Sequence, residues 1–157
     1  MKTKIEIKSW LTDSVLFEFE EKNNTIKDTL LEAIKRSADL SGANLNSANL
    51  SGVNLNGVNL NSANLSGANL KGANLSDANL SSADLSDSYL SDAYLRGAYL
   101  RSADLRSADL RDADLRGADL RDAELQDVRF YGRGGNKELT KEQLPGFLMA
   151  LGFKIVD

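Results

Sequence analysis

Residues 38–50 read ADLSGANLNSANL, and this five-residue pattern continues without a gap to Gly132. A leucine or phenylalanine stands at every position divisible by five from Leu40 to Phe130. An alanine usually stands two residues before it, and the remaining positions are almost all asparagine, aspartate, serine, glycine, lysine or arginine. Nineteen consecutive units of this kind make the repeat the feature that decides the fold.

The two apolar positions of each unit are expected to point inward together. If the leucine position is called i, the alanine at i−2 lies on the same side of an extended backbone, because side chains there alternate with a period of two. Glycine, serine or aspartate fills every i+2 position from Gly42 to Gly132, where the chain must turn. One unit cannot bury its own leucine, so the pattern predicts a stacked all-β solenoid with parallel strands.

A helix is the competing interpretation of the same residues. On a helix, however, a period of five would rotate successive leucines by about 140° and spread them around the axis. Asparagine, serine and glycine at fixed positions also lower helix propensity across the first half of the tract. The solenoid is therefore the favoured architecture.

The A(N/D)LXX unit, seen as ANLNS in residues 43–47 and as ADLRD in residues 108–112, resembles the pentapeptide repeat proteins over residues 38–132. The resemblance implies a right-handed quadrilateral parallel β-helix with four units in each coil. The tract would then make about 4–5 coils. Its predicted core includes Leu40, Leu45, Leu60, Leu65, Leu80, Leu85, Leu100, Leu105, Leu120 and Leu125.

The ends of the chain are expected to cover this column, which gives a division into residues 1–37, 38–132 and 133–157. Two alternating runs in residues 4–20 predict a β-hairpin. Asn24 or Thr25 is then expected to cap a helix that carries Ile26, Leu30 and Ile34 on one stripe. After a loop, residues 140–152 predict a second capping helix over the last coil.

Composition excludes several classes of function. The chain has no cysteine and no histidine, which removes disulfides, thiolate metal sites and the commonest general base. A net charge of −4 disfavours direct binding to nucleic acid or to an anionic membrane. We therefore predict a cytoplasmic protein without a cofactor. A monomer is the predicted state, with a homodimer through the edge of the N-terminal hairpin as the alternative.

Two outward surfaces are candidates for contact with an unknown protein partner. The first is the tyrosine belt, defined as Tyr89, Tyr94 and Tyr99, which four-unit coils would place on three consecutive sides of one coil. Exposed aromatic residues are enriched at interfaces, although tyrosine also suits an exposed strand. The same coils would stack asparagines such as Asn44 and Asn64, whose amides can then bond along the ladder.

The second candidate is the acidic side, which carries five acids and a single arginine, Arg106. Its stacked carboxylates would repel unless a cation, an arginine or water lies between them, and they could receive a basic protein surface or weakly bind Ca²⁺. Most of the six arginines at i+1, from Arg96 to Arg121, are expected to pair with neighbouring carboxylates. The acids of this side are Asp84, Asp87, Asp104, Glu124 and Asp127.

A noncatalytic structural or protein-interaction module is the function that these features favour. The resemblance supplies the alternative, because some pentapeptide repeat proteins protect or inhibit DNA gyrase by mimicking duplex DNA. An enzyme is the weakest hypothesis, since a filled solenoid offers no pocket that would shift carboxylate pKa values. The sequence also contains no P-loop, no dinucleotide fingerprint and no nucleophile beside a base.

Overall fold

The computed structural model describes residues 2–130 of the chain. Two strands, β1 (Lys2–Lys8) and β2 (Val15–Lys22), are followed by one helix, α1 (Ile26–Lys35). A column of short bridges then extends to the end of the described residues. The capping helix predicted in residues 140–152 lies outside them.

The predicted N-terminal hairpin is confirmed. Strands β1 and β2 pair antiparallel, with Ile5 opposite Phe19 and Ile7 opposite Phe17. Each strand is two residues longer than predicted, because pairing continues through polar residues as far as Lys2 and Lys22. One face of the hairpin faces the column, and Ile7 is completely buried there.

Helix α1 begins at the second of the two predicted caps. Thr25 is the N-cap: its Oγ1 accepts from the Asp28 amide at 3.2 Å, and Asp28 Oδ2 accepts from the Thr25 amide at 3.1 Å. Asn24 instead ties the hairpin to the helix, since its Nδ2 donates to Phe19 O and Thr29 Oγ1. The predicted apolar stripe is confirmed, with Leu30 fully buried.

The column has four units in each coil. Parallel bridges join residues 20 apart, from Asn44 and Asn64 to Asp109 and Arg129. The Leu45 amide donates to Asn64 O at 2.8 Å, and the Asn64 amide donates back to Ala43 O at 2.9 Å. Neighbouring coils are thus hydrogen-bonded in both directions, which satisfies the backbone of each short strand.

Each unit ends in a β-turn. The amide at i+3 donates to the carbonyl at i, as from Ala63 to Leu60 at 3.1 Å. The i+2 residue takes a positive φ in every unit from Gly42 to Asp127, as the third residue of a type II turn requires. Aspartate and serine adopt this conformation as well as glycine, with φ of 55° at Asp77 and 65° at Gly57.

The core prediction is confirmed along the whole described column. Burying a leucine contributes about 1.5–3 kcal/mol, so the stacked leucines are the main source of stability. Ser88 replaces alanine at one inward position, and its hydroxyl donates to Leu85 O at 2.6 Å. The predicted core leucines, each 0–3% exposed, are Leu40, Leu45, Leu60, Leu65, Leu80, Leu85, Leu100, Leu105, Leu120 and Leu125.

The N-terminal elements close the first end of the column. Ile7, Leu30 and Ala33 belong to the same apolar core as the leucines. Lys8 O accepts from the Asn44 amide at 2.7 Å, and the Trp10 indole donates to Ser62 O at 2.6 Å. These contacts give partners to part of the first coil, which has no coil before it.

Candidate functional site

The outward groups of the column change from one coil to the next. We number its four sides by their first leucines, so that Leu40, Leu45, Leu50 and Leu55 mark the first to fourth sides. The i−1 position faces outward just before each leucine. The residues at that position define the asparagine coils (Asn44 to Asn79), the tyrosine coil (Asp84, Tyr89, Tyr94 and Tyr99) and the aspartate coil (Asp104, Asp109, Asp114 and Asp119).

Asparagine and aspartate at i−1 make the same bond to the backbone. Asn64 Oδ1 accepts from the Ser66 amide at 3.0 Å, and Asp104 Oδ1 accepts from the Arg106 amide at 3.0 Å. These bonds are Asx-turns, which hold the first residue of each corner. The sequence interpretation placed the asparagine amides along the ladder instead. Among the described i−1 asparagines only Asn69 donates to the one below it, Asn49, at 3.4 Å.

The inter-coil amide bonds come mainly from a different position, which sequence reasoning missed. At i+1 of the first coil, three asparagines each donate Nδ2 to a serine carbonyl 20 residues later, at 2.9 Å in each case. The available signal was asparagine at i+1 on three of the four sides of that coil. These asparagines are Asn46, Asn56 and Asn61.

The tyrosine belt occupies three consecutive sides of one coil. The rings of Tyr89, Tyr94 and Tyr99 are exposed, at 55–56% for each residue. Their backbones are fixed: the Tyr94 amide donates to Ala73 O at 2.9 Å, and Tyr94 O accepts from the Leu75 amide at 2.7 Å. Rigid backbone and exposed rings are the properties of aromatic anchors at protein interfaces.

The tyrosines forgo a bond that every asparagine and aspartate at i−1 makes in the described units. A tyrosine hydroxyl is the only acceptor of its side chain and lies far from the backbone. No Asx-turn therefore forms at Tyr89, Tyr94 or Tyr99, whereas Asp84 in the same coil accepts from the Ser86 amide at 3.0 Å. The belt thus replaces three local backbone bonds with exposed aromatic surface.

The aspartate coil is ringed by ion pairs, one on each side. Arg111 donates Nε to Asp109 Oδ1 at 2.7 Å and Nη2 to Asp109 Oδ2 at 2.5 Å. The same two-residue spacing and geometry recur at Arg106, Arg116 and Arg121, which confirms the predicted pairing. Hydrogen bonds from these guanidinium groups lower the pKa of the four aspartates, and partial burial opposes that shift.

On the acidic side, which is the second side, Asp84, Asp104 and Glu124 stack in consecutive coils as predicted. Arg106 joins two of them, with Nε 3.1 Å from Glu124 Oε2 and its other contacts to Asp104. These carboxylates raise the pKa of Arg106, chiefly through the hydrogen bond to Asp104. Arg106 therefore bridges Asp104 and Glu124, and an intervening arginine is one of the three ways in which the repulsion of these acids was expected to be relieved.

The two remaining acids of this side, Asp87 and Asp127, are exposed at corner positions with φ of 56° and 60°. Residues 2–130 contain no group of three or more acidic side chains arranged to hold a metal ion. Nor does any helix in that part of the chain have the length and apolar character needed to cross a bilayer. The acidic side therefore presents charge without a built metal site.

Comparison with known families agrees with this geometry. A family model described as pentapeptide repeats matches residues 38–77, 78–117 and 98–132. The chain belongs to the pentapeptide repeat family, and its column is a right-handed quadrilateral β-helix like those of its structural neighbours. A search of curated proteins finds no match.

Two solved structures from the cyanobacterium Nostoc PCC 7120 are similar to this chain. The pentapeptide repeat protein alr5209 is 38% identical, with a TM-score of 0.58, covering 71% of this chain and 88% of its own. HetL, described as involved in the regulation of heterocyst differentiation, is 37% identical with a TM-score of 0.50. That match covers 59% of this chain and 48% of HetL, so the chain spans about half the length of HetL.

A more distant match is QnrB1, a plasmid-mediated fluoroquinolone resistance protein. It is 16% identical, with a TM-score of 0.27, covering 73% of this chain and 87% of that one. At this distance the match carries no argument about function.

Proposed function

We propose that this protein is a noncatalytic protein-interaction module that acts through the outer surface of its column. The tyrosine belt carries the proposal, because its three rings are exposed on fixed backbone at the expense of three Asx-turns. The interior is filled by leucine and alanine side chains, which leaves the exterior as the place of contact. Members of the pentapeptide repeat family are generally non-enzymatic structural proteins, which supports a noncatalytic role.

The experiment that tests this proposal is affinity capture from the source organism with folded surface variants. The triple variant Tyr89→Asn, Tyr94→Asn and Tyr99→Asn removes the belt and installs the residue of the coil below. We expect the wild type to retain a discrete protein that the triple variant releases. Equal capture by both forms would contradict a role for the belt, and no capture by the wild type would contradict the interaction function.

A gyrase-directed role remains the alternative function. A supercoiling assay with added protein separates it from the scaffold role, because a noncatalytic scaffold for another partner should leave supercoiling unchanged at micromolar concentration. Inhibition of the reaction, or protection of gyrase from a quinolone, would favour the alternative.

We further propose that the protein acts as a cytoplasmic monomer without a cofactor. A chain that lacks cysteine requires no oxidising compartment. Pairing of two β2 edges would bring together strands that each carry Glu18, Glu20 and Glu21, and such like charges disfavour the alternative homodimer. Light scattering tests the mass, and localisation of a fluorescent fusion tests the compartment.

A further inference from the structure

The first and fourth sides carry the same combination of tyrosine and arginine. We call these residues the tyrosine–arginine face. On each side a tyrosine and an arginine flank one buried leucine, and a second arginine lies one coil higher. The face consists of Tyr94, Arg96 and Arg116 on the fourth side and Tyr99, Arg101 and Arg121 on the first.

On this face the arginine side chains are more exposed than the aspartates with which they pair. The Arg116 side chain is 57% exposed, whereas that of its partner Asp114 is 17% exposed. Arg121 and Asp119 show the same contrast, at 60% and 24%. The ion pairs cancel in net charge, but a partner that approaches from outside meets the guanidinium groups first.

These arginines keep hydrogen-bond donors for a partner. A guanidinium group has five N–H donors, and a carboxylate held through Nε and Nη2 occupies two of them. These two bonds leave three N–H donors on Arg116 and three on Arg121. Arg101 lies 3.4 Å from the exposed Asp122, and its charge also helps to lower the pKa of Asp119. Arg96 helps to lower the pKa of Asp114 but forms no close ion pair within residues 2–130.

Building on the proposed function, we propose that the tyrosine–arginine face binds an extended acidic segment of a partner protein. Carboxylates match the planar donors of arginine in pairs, and the tyrosine rings supply apolar contact beside them. The acidic side, with Asp84, Asp87 and Asp127, repels such a segment and so directs it to this face. Nucleic acid fits less well, because the arginines here are already balanced by carboxylates and would release few counterions.

The test uses a fluorescent peptide about eight residues long that alternates glutamate with phenylalanine. Lysine and glutamine versions of the peptide, and single-stranded DNA, are measured beside it by anisotropy. The test variant is Tyr94→Asn with Arg96→Ser, which copies the coil below. The matched control is Lys71→Ser, which also removes one cation and installs the serine of the coil below, but on the third side, outside both the tyrosine belt and this face.

We expect the acidic peptide alone to bind, and salt to weaken its binding. The test variant should lose at least about tenfold in affinity, and the control less than about twofold. Equal losses in the two variants, no binding of the acidic peptide, or tighter binding of DNA would overturn the inference.

Capture of the natural partner separates failure of this inference from failure of the proposed function. A captured protein that is released by Asp84→Asn with Asp87→Asn, and not by the test variant, would overturn the face assignment and leave the interaction function standing. Failure of the wild type to capture any protein would overturn both.

Discussion

The asparagine coils and the aspartate coil share one backbone and differ in what they show to solvent. The Asn69 amide donates to Ala48 O at 2.9 Å, and the Asp109 amide makes the same bond to Ser88 O at 2.9 Å. Their side-chain oxygens form the same Asx-turn. Both kinds of coil thus place an acceptor oxygen close to the backbone, and an amide or a carboxylate supplies it equally. The rest of that side chain is free to carry a surface function.

The tyrosine coil departs from this rule on three of its four sides. It keeps the inter-coil backbone bonds and gives up the Asx-turns. The three tyrosine rings, which the inter-coil bonds do not need, therefore lie between the neutral asparagine coils and the charged aspartate coil.

The largest effect is expected where all coils are alike, in the leucine core. Leu85→Asp would place a carboxylate at a fully buried position with no partner, which should cost more than about 4 kcal/mol and unfold the column. Urea titration followed by circular dichroism measures this loss. Ser91→Asp, at an outward position on the next side, is the control and should change stability by less than about 0.5 kcal/mol. An unchanged melting temperature for Leu85→Asp would refute the inward assignment.

The shared core was predictable because it depends only on alternation. Inward leucine and alanine follow from a period of two, and a turn residue at i+2 follows from the need to bend. The closure of the coil after four units did not follow from the spacing, since a five-residue unit can close with other numbers of sides. That number came from the family resemblance, and the 20-residue bridges confirm it.

The surface was less predictable, because its bonds depend on the geometry of the turn. The sequence shows that Asn64 faces outward, but only the turn geometry shows that its Oδ1 accepts from the Ser66 amide. The double contact of Arg106 with Asp104 and Glu124 likewise depends on side-chain conformation across two coils. In contrast, the positions of the three tyrosines required only the number of units in a coil.

The next-largest effect is expected when the aspartate coil is changed to resemble an asparagine coil. The quadruple change of Asp104, Asp109, Asp114 and Asp119 to asparagine keeps each Asx acceptor and removes the ion pairs. Near pH 7 we expect a small loss, about 0–1 kcal/mol for each exposed pair. The measurement is thermal unfolding from pH 7 to pH 2.5.

The pH dependence has a defined sign. The pKa of each of these aspartates is lowered in the folded state, so their stabilisation is present above the unfolded pKa of about 3.9. It is lost as the pH falls through the lower folded pKa. The wild type should therefore lose more stability in acid than the quadruple variant. The control changes four corner aspartates, Asp77, Asp87, Asp92 and Asp127, to asparagine; equal acid sensitivity in both variants would contradict the ion-pair explanation.

The third prediction concerns the asparagines that attach the first coil to the second. Asn61→Ala removes the bond from Nδ2 to Ser81 O at 2.9 Å and should cost about 0.5–1.5 kcal/mol. Ser51 occupies the same i+1 position on the third side, where no such side-chain bond forms. Ser51→Ala should therefore be close to neutral in the same urea titration, and equal effects would show that the inter-coil amide bond adds nothing.

The smallest effect is the one that bears most directly on function. Tyr94→Asn should restore an Asx-turn to the Arg96 amide and leave stability unchanged or raised by up to about 1 kcal/mol. If the tyrosines instead serve surface packing, the same change removes a favourable strand residue and lowers stability. Tyr94→Ala provides the control, because it removes the ring without supplying an acceptor. If Tyr94→Asn gains stability and loses the partner, the tyrosine coil gives up Asx-turns in favour of partner contact. If Tyr94→Asn and Tyr94→Ala destabilise the protein equally, the tyrosine belt instead serves the stability of the column.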